Sequence, residues 1–328
     1  MWRAISQHWF LLSLAICLGL GFGLPEAFSS LAHNAQLRDG IVFTVMLLMG
    51  WTLQPKAVVR SIRQPLPSFL AIAINMVGVP ILALPTILLL PADLAGGLVV
   101  ASLVPCTLAS AAVWTRSAGG DDAIAMVTTV VTNVMCFVVA PVGLWLILGR
   151  VAETDVASQM KSLFFQVVAP LIAGQMLRVF GLAAWSDRNK FSLSLVAQTG
   201  ILAMVLLGSV ISAERMDLAA NPGSRGWPIF ATAIASGLIH LAAVGIGYYA
   251  SAMSGIDRPQ QLGVALAGGQ KTLMVGLQLA LDCGVSVVPM IMYHVGQLLI
   301  DTILVRVWTR KPDASSPVEQ LEENENLQ

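Results

Sequence analysis

Charge is what this sequence has least of. Asp, Glu, Lys and Arg make up 11% of its 328 residues, roughly half the share of an ordinary soluble domain. The 18 basic and 18 acidic residues cancel, so no net positive charge calls for nucleic acid. Cysteine is scarce as well. Cys17, Cys106, Cys136 and Cys283 form no CxxC pair and no Cys/His cluster, which excludes a disulfide framework and a structural zinc site. Catalytic signatures are missing: there is no GxSxG, no HExxH, no Walker loop and no pair of acids within an apolar run. What remains is apolar, 56% hydrophobic with a mean hydropathy of +0.79. A surface built from such a chain suits lipid rather than water.

A helix needs about 20 apolar residues to cross a hydrocarbon core of roughly 30 Å. Ten stretches qualify, at approximately 8–25, 40–54, 68–90, 94–117, 122–148, 162–183, 191–212, 228–252, 260–281 and 284–307. The first, Trp9 to Leu24, is expected to be kept as a span rather than cleaved as a signal peptide. Residues 309–328 are polar and acidic and are expected to be a disordered tail. With the N-terminus in the cytoplasm, basic residues divide twelve inside to five outside, led by Lys56, Arg60 and Arg63 in one loop. That bias places both termini inside. The eighteenth basic residue, Lys271, falls within the ninth span.

Two features suggest a repeat. Met46-Leu-Leu-Met-Gly50 is echoed by Met204-Val-Leu-Leu-Gly208, an offset of 158. The fourth span is interrupted at Pro105 and the ninth at Gly268-Gly269. Five spans per half make the second half enter from the opposite side, an inverted-topology arrangement typical of alternating-access transporters. Freed backbone groups at a break cannot face lipid. Each break is followed by polar side chains, Thr107 and Ser110 in one half, Gln270, Lys271 and Thr272 in the other. With Asn133 and His294 from the fifth and tenth spans, these make up the expected substrate site. The expected ligand is a small anion, drawn to half-helix N-termini.

A lysine at mid-membrane costs roughly 2.5–3.5 kcal/mol. Lys271 is therefore expected to work, either holding a substrate carboxylate or exchanging a proton. Asn75, Thr128, Thr129, Thr132, His240 and Gln297 lie within spans and read as interhelical hydrogen-bonders. Asp301 reads as a structural residue near the cytoplasmic end, paired with Arg306. His240 and His294 are too isolated to make a catalytic set. Trp51, Trp114, Trp227 and Trp308 read as interfacial anchors.

Pro105-Cys-Thr-Leu-Ala-Ser-Ala-Ala-Val-Trp-Thr-Arg-Ser-Ala-Gly-Gly120, Gly268-Gly-Gln-Lys-Thr-Leu-Met-Val-Gly276 and Tyr293-His-Val-Gly-Gln297 together resemble the bile acid:sodium symporter superfamily, in a branch with a lysine in its second crossover helix. The resemblance implies an all-α membrane protein of ten helices in two inverted five-helix repeats, with two broken helices that cross. Residues 1–67 and 149–226 would form a panel domain and residues 68–148 and 227–308 a core domain. It implies secondary transport of an organic anion across a bacterial-type inner membrane, with no organic cofactor. By position, Asn75, Ser110, Thr128 and Gln270 match sodium-ligand places. This sequence departs from the pattern: Ala111 stands where an Asn is usual, Leu266 and Ala267 where an acid is usual, and Lys271 where a neutral amide is common. A fixed ammonium would repel sodium, so Lys271 is expected to replace the coupling cation. Two alternatives are an arsenite-efflux protein using Cys106 and a membrane sensor or scaffold that moves no solute.

Overall fold

The computed structural model describes residues 2–54, 65–107, 110–149, 155–216 and 226–309, with backbone alone for residues 2–8, 11, 215 and 216. The basic loop of Lys56, Arg60 and Arg63 lies outside the described residues, as does the tail after Thr309. Among the described residues every regular element is a helix. In chain order these are α1 Trp2–Gly23, α2 Pro25–Ala32, α3 Ala35–Thr52, α4 Pro65–Leu89, α5 Ala92–Leu103, α6 Ser110–Ser117, α7 Asp122–Leu148, α8 Val156–Arg188, α9 Lys190–Met216, α10 Gly226–Met253, α11 Arg258–Gly269, α12 Leu273–Asp282 and α13 Val288–Thr309. Six of these, with α11 and α12 taken together as Arg258–Asp282, make seven segments long and apolar enough to cross a bilayer, or eight if the bent pair Leu12–Gly23 and Pro25–Ala32, at 99°, is one span. Large apolar side chains line the outer surface, with Leu88 at 89% and Val179 at 83% exposure. In water such a surface would aggregate; against acyl chains it is the solvated face.

Capping residues set several boundaries that hydropathy misplaces. The Asn34 side chain accepts from Leu37 N–H at 3.0 Å, so α3 starts five residues before the expected 40. Asp155 accepts from Ser158 N–H at 3.3 Å and opens α8 at Val156, earlier than the expected 162. That helix later kinks at Phe180 and Gly181, where Gly181 has φ 95°, a conformation glycine adopts without strain.

Helices α1, α3, α8 and α9 pack on one another, while α4, α5, α7, α10, α11 and α13 surround the two interrupted segments. The α3–α8 crossing depends on Gly50 and Gly174. A methyl at either would meet backbone of the opposite helix, Leu171 in one case and Leu47 with Trp51 in the other. Small residues that let membrane helices approach backbone to backbone gain dispersion contact that lipid cannot replace. Near one end of this crossing Trp51 stacks on Trp185 at 4.9 Å; elsewhere, between α10 and α13, Trp308 stacks on Tyr248 at 6.0 Å.

Gly174→Leu should therefore force α3 and α8 apart, at a cost of about 1–3 kcal/mol. The measurement is the melting midpoint of purified protein in detergent. Gly245→Leu, at a site with open space around it, is the control and should melt as wild type. Equal midpoints for both variants would remove the close-approach account.

Candidate functional site

The first interruption follows directly from Pro105. Helix α5 ends at Leu103, and Val104 is extended at φ −72°, ψ 157°, as a residue before proline prefers. The freed backbone is taken up by the Thr-rich face of α7. Thr132 Oγ1 accepts from Cys106 N–H at 3.1 Å, Asn133 donates to Cys106 O at 3.0 Å, and Thr129 donates to Thr107 O at 3.0 Å. Ser110 then opens α6.

The second interruption lies slightly beyond where glycine suggests. Gly268 and Gly269 are helical, the last residues of α11, and the extended residues are Gln270 to Thr272. The glycines serve close approach instead: a methyl on Gly268 would press on Ile74, and one on Gly269 on the His240 ring. Asn75 donates to Ala267 O and Gly268 O, both at 3.3 Å, and to Gln270 O at 2.8 Å. Gln297 clasps the Lys271 backbone, accepting from its N–H at 2.8 Å and donating to its O at 3.0 Å. The two interruptions touch. Thr272 N–H donates to Pro105 O at 2.9 Å.

At this contact sits Lys271, fully buried. Its ammonium donates to Asn75 O at 2.5 Å, Val104 O at 2.9 Å and Asn75 Oδ1 at 3.3 Å. Three N–H groups meet three oxygens, so the donor set is complete. Both carbonyls are available for stated reasons. Val104 O is a carbonyl at the C-terminal end of α5, at the negative end of its dipole. Asn75 O lies in a π-helical stretch, Ile74–Gly78, where Val79 N–H bonds Ile74 O. Its own i+5 partner would be Pro80, which has no N–H. Proline thus leaves a carbonyl vacant in α4, and the lysine of another helix fills it. Among the described residues no ion pair involves Lys271.

The other expected site residues gather around this point. Ser110 donates to Gln270 Oε1 at 2.8 Å, and Gln270 Nε2 donates to Asp301 Oδ2 at 2.5 Å. His294 Nδ1 lies 2.9 Å from Gln297 Nε2. Thr272 and Thr107 are buried beside the crossing. Thr128 is buried too, but its hydroxyl meets no protein hydrogen-bond partner, and neither does Asn133 Oδ1. Cys106 is buried, with its sulfur 3.5 Å from Thr129 Oγ1. Among the described residues no group of three or more His, Cys, Asp or Glu is placed to hold a metal ion.

Asp301 corrects the sequence reading. It is not an interfacial partner of Arg306, which is exposed. It is fully buried, bound to His240 Nε2 at 2.8 Å as well as to Gln270. His240 is likewise not isolated, since its Nδ1 lies 3.1 Å from Gly269 O. Helical spacing could have hinted at this pair only by showing two ionisable residues inside spans.

A cleft of about 380 Å³ opens between α3 and α9 on one side and α6 and α7 on the other. Leu48, Met49, Met126 and Ile201 give it an apolar wall; Arg116, Lys190 and Gln198 give it donors. Two of its lining residues, Ala112 and Val113, follow Ser110 in α6, so the cleft approaches the crossing. Arg116 is held by Asp122, which accepts from both its Nε and Nη2. The sequence reading placed Arg116 and Lys190 only as loop charges. A larger groove of about 610 Å³ runs between α3 and α9, lined by Ile41, Val45 and Val196, with no charged residue; it touches neither interruption.

Asn75 supplies three bonds to one interruption and an oxygen to Lys271. Asn75→Leu, close in volume, should cost about 2–4 kcal/mol by leaving buried carbonyls unpaired. A melting midpoint within 1–2 °C of wild type, a shift of roughly 1 kcal/mol or less, would show that other donors replace it.

A model of the SBF-like CPA transporter family matches residues 8–310. A protein of Oryza sativa subsp. indica named probable sodium/metabolite cotransporter BASS4, chloroplastic, is 27% identical, over 92% of this chain and 75% of its own length. The uncharacterized sodium-dependent transporter YocS of Bacillus subtilis (strain 168) is 27% identical over 89% of this chain and 88% of its own. Sodium/bile acid cotransporter 7-A of Xenopus laevis is 26% identical over 64% and 62% respectively.

Proposed function

Because this chain belongs to the SBF-like CPA transporter family, whose members are multi-pass membrane transporters and not enzymes, we propose that it is a secondary transporter of a small organic anion in which Lys271 replaces a coupling cation. The reading takes the chain as ten passes in two inverted five-helix halves. A panel of residues 1–67 and 149–226 moves against a core of residues 68–148 and 227–308. Both termini face the cytoplasm of a bacterial-type inner membrane.

The observation that carries the proposal is the three-oxygen cradle of the Lys271 ammonium, built from carbonyls at the meeting of two interrupted helices. Carbonyls at half-helix C-terminal ends are what a transporter offers to a cation. Here a tethered cation already fills the cradle, which ties both interruptions to α4 without an ion from solution. A sodium ion 4 Å from that ammonium would meet about 4 kcal/mol of repulsion at an effective dielectric of 20. That weakens ion binding by roughly a thousandfold. Gln270 is also held at both amide atoms, its Oε1 by Ser110 and its Nε2 by Asp301. The sodium in the relatives' names therefore does not carry over.

The cleft indicates the substrate class. Arg116 and Lys190 lie on the side with the excess of basic residues, the cytoplasmic side, and attract an anion. The apolar wall suits a short hydrocarbon part. With all three Lys271 donors taken, the lysine acts on the substrate through its field rather than by direct contact. The half-helix N-terminus at Ser110 completes the anion's end of the site.

Thermal stabilisation of purified protein by a panel of small mono- and dicarboxylates, in sodium and in choline buffers, tests this. At least one carboxylate should stabilise the wild type equally in both. Lys271→Gln keeps a donor for the cradle and should insert normally, yet lose that stabilisation in choline. A wild type that responds only in sodium, or a variant that binds as well as wild type, would sink the proposal.

A further inference from the structure

The cation cradle leaves one buried ionisable pair without a task. His240 on α10 and Asp301 on α13 are both fully buried, with Nε2 and Oδ1 2.8 Å apart. The protons of this pair can be counted from its partners. Gly269 O accepts from Tyr293 Oη–H at 2.9 Å and lies 3.1 Å from His240 Nδ1. A carbonyl cannot donate, so Nδ1 carries a proton. A neutral ring would then turn the bare lone pair of Nε2 toward a carboxylate oxygen. Between two fully buried side chains that contact is repulsive. A second proton must lie between Nε2 and Oδ1, whichever atom holds it.

We propose that the His240–Asp301 pair is the binding site for the coupling ion of transport, and that this ion is a proton. The proposal rests on reading the chain as a secondary transporter, and not on the role given to Lys271.

The pair is wired to the crossing. Asp301 Oδ2 accepts from Gln270 Nε2 at 2.5 Å, and Gln270 Oε1 accepts from Ser110 Oγ at 2.8 Å. Ser110 begins the helix that lines the cleft. When the proton leaves, Nε2 and Oδ1 repel, α10 and α13 lose this hydrogen bond, and the full charge of Asp301 falls on Gln270. One proton therefore decides how the second interruption is held and how it grips the start of α6. Among the described residues, Tyr293 from α13 lies edge-on to the imidazole at 6.0 Å, and Cys106 from the first interruption and Lys271 from the second are the other ionisable groups buried at the crossing. His294 is engaged with Gln297. Lys271 keeps its own oxygens throughout, so it does not compensate for the lost proton by contact. A monoanion that enters with one proton moves no net charge through the site, which removes the need for sodium on electrical grounds.

The test uses the proton itself as the probe, on the full chain. In ¹⁵N-histidine-labelled protein, His240 is assigned by its loss in His240→Gln or, should that variant not fold, by elimination with substitutions of the other three histidines. Across a rising pH series Nδ1 should stay protonated while Nε2 loses its proton in one step, and Asp301→Asn should abolish that step. In proteoliposomes on a solid-supported membrane, a pH jump should evoke a transient current in wild type that His240→Gln and Asp301→Asn both lose. An Nε2 signal unchanged across the series overturns the proposal, as does a wild-type current no larger than that of empty liposomes. The current reading needs no variant. A failed carboxylate test beside an intact titration would remove the Lys271 reading and leave the proton site standing.

Discussion

One constraint organises this molecule: backbone polar groups released inside an apolar interior must find partners. Two interruptions release them at the same place, and three elements supply the partners. The Thr129, Thr132 and Asn133 face of α7 serves the first. Asn75 from α4 and Gln297 from α13 serve the second. Lys271 then bonds across the junction to Val104 and Asn75. A buried ammonium without hydrogen bonds would be intolerable. Here each of its protons meets an oxygen that would otherwise be orphaned, so two unfavourable burials offset each other.

That reciprocity depends on two prolines that never touch the lysine. Pro105 ends α5 and exposes Val104 O; Pro80 lacks the N–H that would have closed the π-helical turn on Asn75 O. Charge-assisted bonds to such carbonyls contribute about 1.5–3 kcal/mol each, comparable to the cost of placing a lysine at this depth. The site is stable because its irregularities are matched, and a change at one of them is felt at the others.

Much of this could be read along the chain. The apolar runs, Pro105 as an interruption, and Lys271 as the residue that must be explained all follow from local chemistry. Other parts could not be read this way. Gly268 and Gly269 suggested unwound backbone, but a glycine chosen for close approach looks the same in sequence as one chosen for flexibility. Asp301 and His240 stand 61 residues apart on helices whose mutual rotation no single-chain pattern reveals, so their pairing was invisible. Asp301 supplies a buried acid from α13 in a chain whose second crossover lacks one. The cleft cations Arg116 and Lys190 sit near helix ends, where basic residues are ordinary, and only packing brings them to one opening.

The backbone bond between Thr272 and Pro105 has a mechanical meaning. Since the two extended strands are stitched to each other there, neither can shift without dragging its neighbour. Helix α5 and helices α11 and α12 are thus held together at one point, like arms on a common pivot. A tug on any arm is relayed through that point to the others.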